Sequence, residues 1–178
     1  CGEKLIEILL EENFKVLLRP HYRILNDSKK LINSIKEKFG KNKNFIFEES
    51  VIPSESFHNS KCLISDWSGI SFEYAFVFEK PIIFIDVPKK ILNTEFDRIS
   101  SEPIEIAIRE KIGKIVSPDN LSEIPDLIKK IDIDSNLINN EIKEIRSKTV
   151  FNINKSASVG AEYIKKILNS YSLQLIIY

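Results

Sequence analysis

No stretch of this 178-residue chain comes near the ~20 consecutive apolar residues that a bilayer-crossing helix needs, so no transmembrane segment is expected. There is no basic surplus either: 26 Lys and Arg stand against 26 Asp and Glu, a formal net charge of zero. A nucleic-acid surface shows basic excess or a basic stripe, so nucleic acid is not expected among the partners. Cysteine is scarce. Cys1 and Cys62 do not make a disulfide framework, which points to a reducing, cytosolic setting, and Cys62 within an apolar run reads as a core thiol. No His, Cys and Asp cluster has metal-ligand spacing, so no metal is expected, and there is no nucleophilic triad. Internal repeats and low-complexity linkers are missing. The opening Cys1-Gly2-Glu3-Lys4 has neither an initiator Met nor a charged-then-apolar leader, and reads as a cut inside a longer protein.

What is present is an alternation of helix and strand. Apolar residues make up 43% of the chain, enough for an ordinary core. Leu5, Ile6, Ile8, Leu9 and Leu10 lie on one helical face. Val16-Leu17-Leu18 reads as a short buried strand. A helix then buries Leu31, Ile32, Ile35 and Phe39 and stops at Gly40. Phe45-Ile46-Phe47 is the next strand. A short helix over Ser54–Ser60 leads to a strand at Cys62-Leu63-Ile64. Ile70–Phe78 is a helix apolar nearly all round and therefore expected to be buried. Strands at Ile82–Ile85 and Lys114–Val116 follow, then helices near Leu121–Ile131, Asn140–Thr149 and Ser156–Ser170. Strands separated by helices imply a parallel sheet with right-handed crossovers. The expected fold is thus α/β, a Rossmann-like parallel sheet flanked by helices, as one domain over residues 1–178 with a C-terminal helix and tail from 156. Val87–Ser101 reads as a long loop. In such sheets ligands bind beyond the carboxyl ends of strands, which draws attention to the loops after Leu18, Ile64 and Ile85.

The segment Leu63-Ile64-Ser65-Asp66-Trp67-Ser68-Gly69-Ile70-Ser71-Phe72-Glu73-Tyr74-Ala75 carries the most chemistry. A strand runs into a small polar bend, and the bend into a helix. A helix start leaves backbone N–H groups without intrahelical partners, and these with the helix dipole favour an anion such as phosphate. Ser68 and Gly69 allow close approach; Ser65, Ser68 and Ser71 add hydroxyl donors. Glu73, a carboxylate among apolar neighbours, needs partners, and a ribose diol supplies two donors. Local chemistry suits equally well a Ser68 that caps the helix and a Glu73 on a solvent-facing edge. His58 reads as a surface residue.

Ser65-Asp66-Trp67-Ser68-Gly69-Ile70-Ser71-Phe72-Glu73-Tyr74 followed by Lys80-Pro81-Ile82-Ile83-Phe84 resembles the glycerophosphotransferases that use CDP-glycerol in teichoic acid and capsule synthesis. Val16-Leu17-Leu18-Arg19-Pro20-His21 resembles their strand with R-x-H-P, with Tyr22 in place of the final proline. Lys155-Ser156-Ala157-Ser158 faintly resembles the start of their last helix. The resemblance runs from about Val16 to Val116. It implies the C-terminal lobe of a GT-B architecture, with the donor nucleotide held in this lobe. It places the donor diphosphate on Ser68, Gly69 and Ile70, the ribose on Glu73, and His21 and Arg19 beside the phosphates, where transfer needs charge stabilisation. Asp66 is expected to shape the bend by accepting backbone N–H bonds. No tightly bound cofactor is implied; the CDP-linked donor is a substrate. The implied partners are an N-terminal lobe of the same protein, bearing a second catalytic histidine, and a lipid-linked or polymer acceptor met at the inner membrane face of the cytosol. Without that lobe the chain is expected to be inactive. Asp86-Val87-Pro88-Lys89-Lys90-Ile91-Leu92-Asn93 replaces the family's acidic and aromatic loop. Gly69 in place of the second serine resembles the UDP-sugar 2-epimerases, which share the fold, so a UDP-sugar donor is one alternative. A non-catalytic nucleotide-binding domain is another.

Overall fold

A computed structural model of the chain describes residues 1–49, 55–88, 95, 98, 102–133 and 135–172. The expected loop at Val87–Ser101 lies mostly outside the described residues. Chain contacts divide the protein into two units, residues 1–143 and 144–178.

The larger unit opens with α1 (Gly2–Glu11), which buries Ile6, Leu9 and Leu10. β1 (Val16–Leu18) pairs in parallel with β2 (Phe45–Phe47), Val16 opposite Phe45. Between them run α2 (Tyr22–Asp27) and α3 (Lys29–Phe39), and α3 buries Ile32, Ile35 and Phe39, the i, i+3, i+7 stripe of an amphipathic helix. After α4 (Glu55–Asn59), the strand β3 (Leu63–Ser65) pairs in parallel with β4 (Ile82–Ile85), and β4 with β5 (Gly113–Val116). α5 (Ile70–Phe78) links β3 to β4; α6 (Ile104–Ala107) and α7 (Arg109–Ile112) precede β5. A 3₁₀ turn (Pro118–Glu123) leads into α8 (Ile124–Ile133) and α9 (Ser135–Thr149).

The α/β class with parallel pairing and flanking helices is as expected; the single sheet is not. Two sheets are present among the described residues, β1–β2 and β3–β4–β5. Three-residue strands carry few ladder bonds, so side-chain packing does the joining instead. Val16 packs against both apolar cores, one built on Ile83, Ile85, Val116, Leu121, Ile124 and Ile128, the other on Ile6, Leu10, Ile35, Phe39 and Phe45. β4 is the centre of its sheet: Ile82, Ile83 and Phe84 are each 1% exposed, as a strand covered on both faces must be. β5 approaches it so closely at Gly113 that a Cβ there would collide with the Ile82 carbonyl.

α5 corrects a second expectation. It is not buried all round. Ser71, Tyr74 and Ala75 face inward, whereas Glu73 and Val77 are exposed, Val77 at 69%. A helix apolar on nearly every side gives little periodic signal for its inner face, so packing decides.

In the smaller unit α10 (Ser156–Ser172) follows a turn in which Asn152 and Asn154 adopt left-handed backbone, and the Ser156 hydroxyl donates to the Asn152 carbonyl. Asn tolerates that conformation better than most residues. α10 leaves Tyr163, Ile164, Ile167 and Leu168 exposed.

Candidate functional site

β3 delivers the chain to Ser65, the bend Asp66–Gly69 turns it, and α5 starts at Ile70 with Gly69 as N-cap. Ser71 and Phe72 amides donate back to the Ser68 and Gly69 carbonyls at 3.1 Å, and the Glu73 amide donates to Gly69 as well. The amides of Ser68, Gly69 and Ile70 have no hydrogen-bond partner among the described residues. They are the exposed donors of a helix start. Ser68 does not cap the helix with its side chain. Gly69 has ordinary right-handed backbone (φ −58°), and a Cβ on it would meet nothing within 4 Å. Neither backbone nor packing demands glycine here; the open space does leave room for a ligand. The Ser71 hydroxyl is fully buried and unpartnered.

The bend is held from the side by Trp67. Its indole N–H donates to the Val87 carbonyl at 2.7 Å, tying the bend to the segment that leaves β4. The Arg109 guanidinium lies over the Trp67 ring at 3.6 Å and over Phe84 at 4.7 Å.

Geometry bears on two other readings: Glu73 takes the solvent-facing one, and the bracing expected of Asp66 is absent among the described residues. Glu73 sits in the first turn of α5 but is exposed and makes no hydrogen bond or ion pair among the described residues, so burial does not force a partner on it. Asp66 is exposed and accepts no backbone N–H, so it does not brace the bend.

His21 and Arg19 belong to the β1–β2 sheet. His21 is the N-cap of α2: its Nδ1 accepts from the Arg23 amide at 3.3 Å, and its ring lies 4.5 Å from that of Tyr22. That bond places the proton of the neutral ring on Nε2, which faces solvent unpartnered among the described residues. Arg19 is committed. Its Nε donates to Glu48 at 2.9 Å, its Nη2 to Glu48 and to the Ser56 hydroxyl, and it stacks on Phe57 at 4.3 Å. The guanidinium therefore fastens the ends of β1 and β2 to α4 (side-chain exposure 14% for Arg19, 19% for Glu48).

The Lys-Pro pair also does structural work. The Lys80 ammonium donates to the carbonyls of Phe57, His58 and Ser60, the last at 2.6 Å, closing the C-terminal end of α4. Desolvation holds its pKa below the usual lysine value. Beside it the Ser60 and Tyr74 hydroxyls share a 2.7 Å bond, and Phe57 meets Tyr74 edge-on. Burial pushes the Tyr74 phenol pKa up.

The sequence reading passed over Arg109. Its local sequence, Ile108-Arg109-Glu110-Lys111-Ile112, holds two cations and a carboxylate, so nothing in it marks Arg109 out from Lys111. No cluster of three or more His, Cys, Asp or Glu is placed to hold a metal among the described residues. No described helix is long and apolar enough to cross a membrane.

Parallel strands ending in a polar bend, with exposed amides at the head of a helix, make this an α/β unit with its free donors beyond the carboxyl end of a strand. The family model of CDP-glycerol:poly(glycerophosphate) glycerophosphotransferases matches residues 2–92, just over half of the chain, and the protein belongs to that family. The match contains Arg19, His21, the whole bend, α5 and β4. No curated protein and no solved structure matches the chain significantly.

Proposed function

We infer that the chain is the donor-binding half of a glycerophosphotransferase, taking up a CDP-linked glycerol phosphate or related alditol phosphate for transfer to a cell-wall or capsule polymer. The observation that carries this reading is the trio of unpartnered amides at Ser68, Gly69 and Ile70, where α5 begins. They point positive charge at one place, with open space at Gly69, and a diphosphate is the group such a place stabilises. The hydroxyls of Ser65 and Ser68 stand in the same bend. The Nε2–H of His21 is a donor, or once charged an acid, for a phosphate or leaving-group oxygen. Glu73, exposed and one turn into α5, is available to a ribose diol. Arg19 acts by positioning His21, since its own donors are spent on Glu48 and Ser56.

Asp66, Gly69, Glu73 and His21 are all exposed, so this unit offers a donor only one wall. Transfer needs both reactants held, and a second lobe in a GT-B arrangement supplies the other wall together with the acceptor. In that setting the protein works at the cytoplasmic membrane face on a lipid-linked or polymer acceptor, and the chain alone binds donor without turning it over.

Calorimetric titration with CDP, UDP and GDP tests the reading. CDP should bind tightest; preference for UDP would favour a UDP-sugar enzyme, and no binding of any would leave a domain without nucleotide function. Gly69→Pro removes one amide at a φ that suits proline. It should weaken CDP by about tenfold, the worth of one charge-assisted hydrogen bond. Gly69→Ala keeps the amide and should lose much less.

A further inference from the structure

We propose that a cavity beside the bend is a second ligand subsite, built for a hydroxyl-bearing monoanion of the polyol phosphodiester class. The cavity measures about 350 Å³ and is bordered by Trp67, Asp86, Glu102, Arg109, Glu110 and Lys111. Of the bend residues only Trp67 reaches it, which separates it from the amides of Ser68, Gly69 and Ile70.

Arg109 defines the ligand. Its side chain is 4% exposed, and both Nε and Nη2 lack a partner. These two nitrogens form one edge of the guanidinium plane, the fork that meets two oxygens of a phosphate or carboxylate in parallel. Asp86 touches only the other nitrogen, Nη1, at 3.4 Å, too long for a strong bond, and is itself 55% exposed. A buried charged donor left open costs more than one satisfied, so the arrangement favours an incoming anion. The aromatic faces of Trp67 and Phe84 fix the guanidinium plane, which keeps the fork oriented. Both fork nitrogens are closed to water in this conformation, so binding requires the groups over them to move.

The rim sets the rest. Among the described residues, three carboxylates, Asp86, Glu102 and Glu110, and two cations, Arg109 and Lys111, border the cavity. That excess of negative charge repels a dianion and tolerates a monoanion. Carboxylates are acceptors only, so they suit neighbouring hydroxyl groups. One two-oxygen monoanion flanked by hydroxyls is the chemistry of a polyol phosphodiester. The choice of a phosphodiester over a hydroxy-carboxylate rests on the transferase reading; the subsite itself does not.

Trp67 is the single tryptophan, so its fluorescence reports on the cavity directly. The 178-residue chain is titrated with glycerophosphoglycerol, glycerol and inorganic sulfate. Expected are a saturable change with glycerophosphoglycerol, none with glycerol, and a weaker response to sulfate. Arg109→Lys, which keeps charge but loses the fork, should weaken the diester about tenfold or more. If that variant melts, Glu110→Ala, an exposed rim change that removes one negative charge and one hydroxyl acceptor, should tighten sulfate and narrow the diester's advantage over it several-fold. The Arg109 Nε–H resonance should also move on addition of diester to the unaltered chain. A missing response, equal affinity in Arg109→Lys, or sulfate binding as tightly as the diester overturns the proposal. Repeating the titration with CDP present separates the two readings. Diester binding without any CDP binding sinks the donor site alone, and CDP displacing the diester overturns a separate subsite.

Discussion

Two arginines sit largely out of water in the larger unit, Arg19 beyond the end of β1 and Arg109 at the start of α7, with side-chain exposures of 14% and 4%. Both stack on aromatic rings. Arg19 spends its donors on Glu48 and Ser56, whereas Arg109 holds one long contact to Asp86 and leaves a fork open. The difference teaches that a buried cation is evidence of ligand chemistry only when its donors are counted. Arg19 lies in the family signature and is a fastener; Arg109 lies outside the matched residues 2–92 and is the one left unsatisfied.

The comparison breaks most readily by deleting each charge while keeping an apolar stem. Arg19→Met takes the guanidinium from a largely buried Glu48 carboxylate, which keeps the Ser56 hydroxyl, and should cost about 3 kcal/mol of folding stability in urea titration. Arg109→Met removes a cation with an open fork, and loses its aromatic stacking and one long contact to an exposed Asp86. Its stability should stay within about 1 kcal/mol of the parent. A larger loss at Arg109 than at Arg19 would reverse the assignment of roles.

Lys80→Met comes next. It frees the carbonyls that close α4 and should cost about 1–2 kcal/mol, read in the same assay. Tyr74→Phe is the smallest effect, about 1 kcal/mol for the Ser60 bond, and it carries a pH signature. Burial raises the phenol pKa above its ordinary value of 10.0. Stability from the neutral phenol is therefore complete below pH 10.0 and falls as pH climbs past it, because the unfolded chain ionises first. The phenylalanine variant should lack that part of the alkaline loss.

Much of the fold was legible because apolar runs and periodic stripes report burial. Ile82–Ile85 could only be an inner strand, and Ile32, Ile35 and Phe39 could only be one helix face. The split into two sheets was not legible, since three-residue strands look alike whether or not they share a ladder. Nor was the inner face of α5, where nearly every side is apolar. At the site, the bend and its free amides followed from strand–bend–helix order and small residues. The fates of Arg19 and Lys80 did not, because their partners, Glu48 and the α4 carbonyls, lie 20 or more residues away. Arg109 was missed because Glu110 and Lys111 beside it make the stretch read as solvated. Packing then put Glu73 in solvent and the Arg109 guanidinium inside.

The most direct test of the donor site follows the backbone amide resonances of ¹⁵N-labelled chain as CDP is added. The account predicts that Ser68, Gly69 and Ile70 shift first and furthest, saturating together as their N–H groups take up the diphosphate. Saturating shifts confined to other residues, with those three amides unmoved, would contradict it.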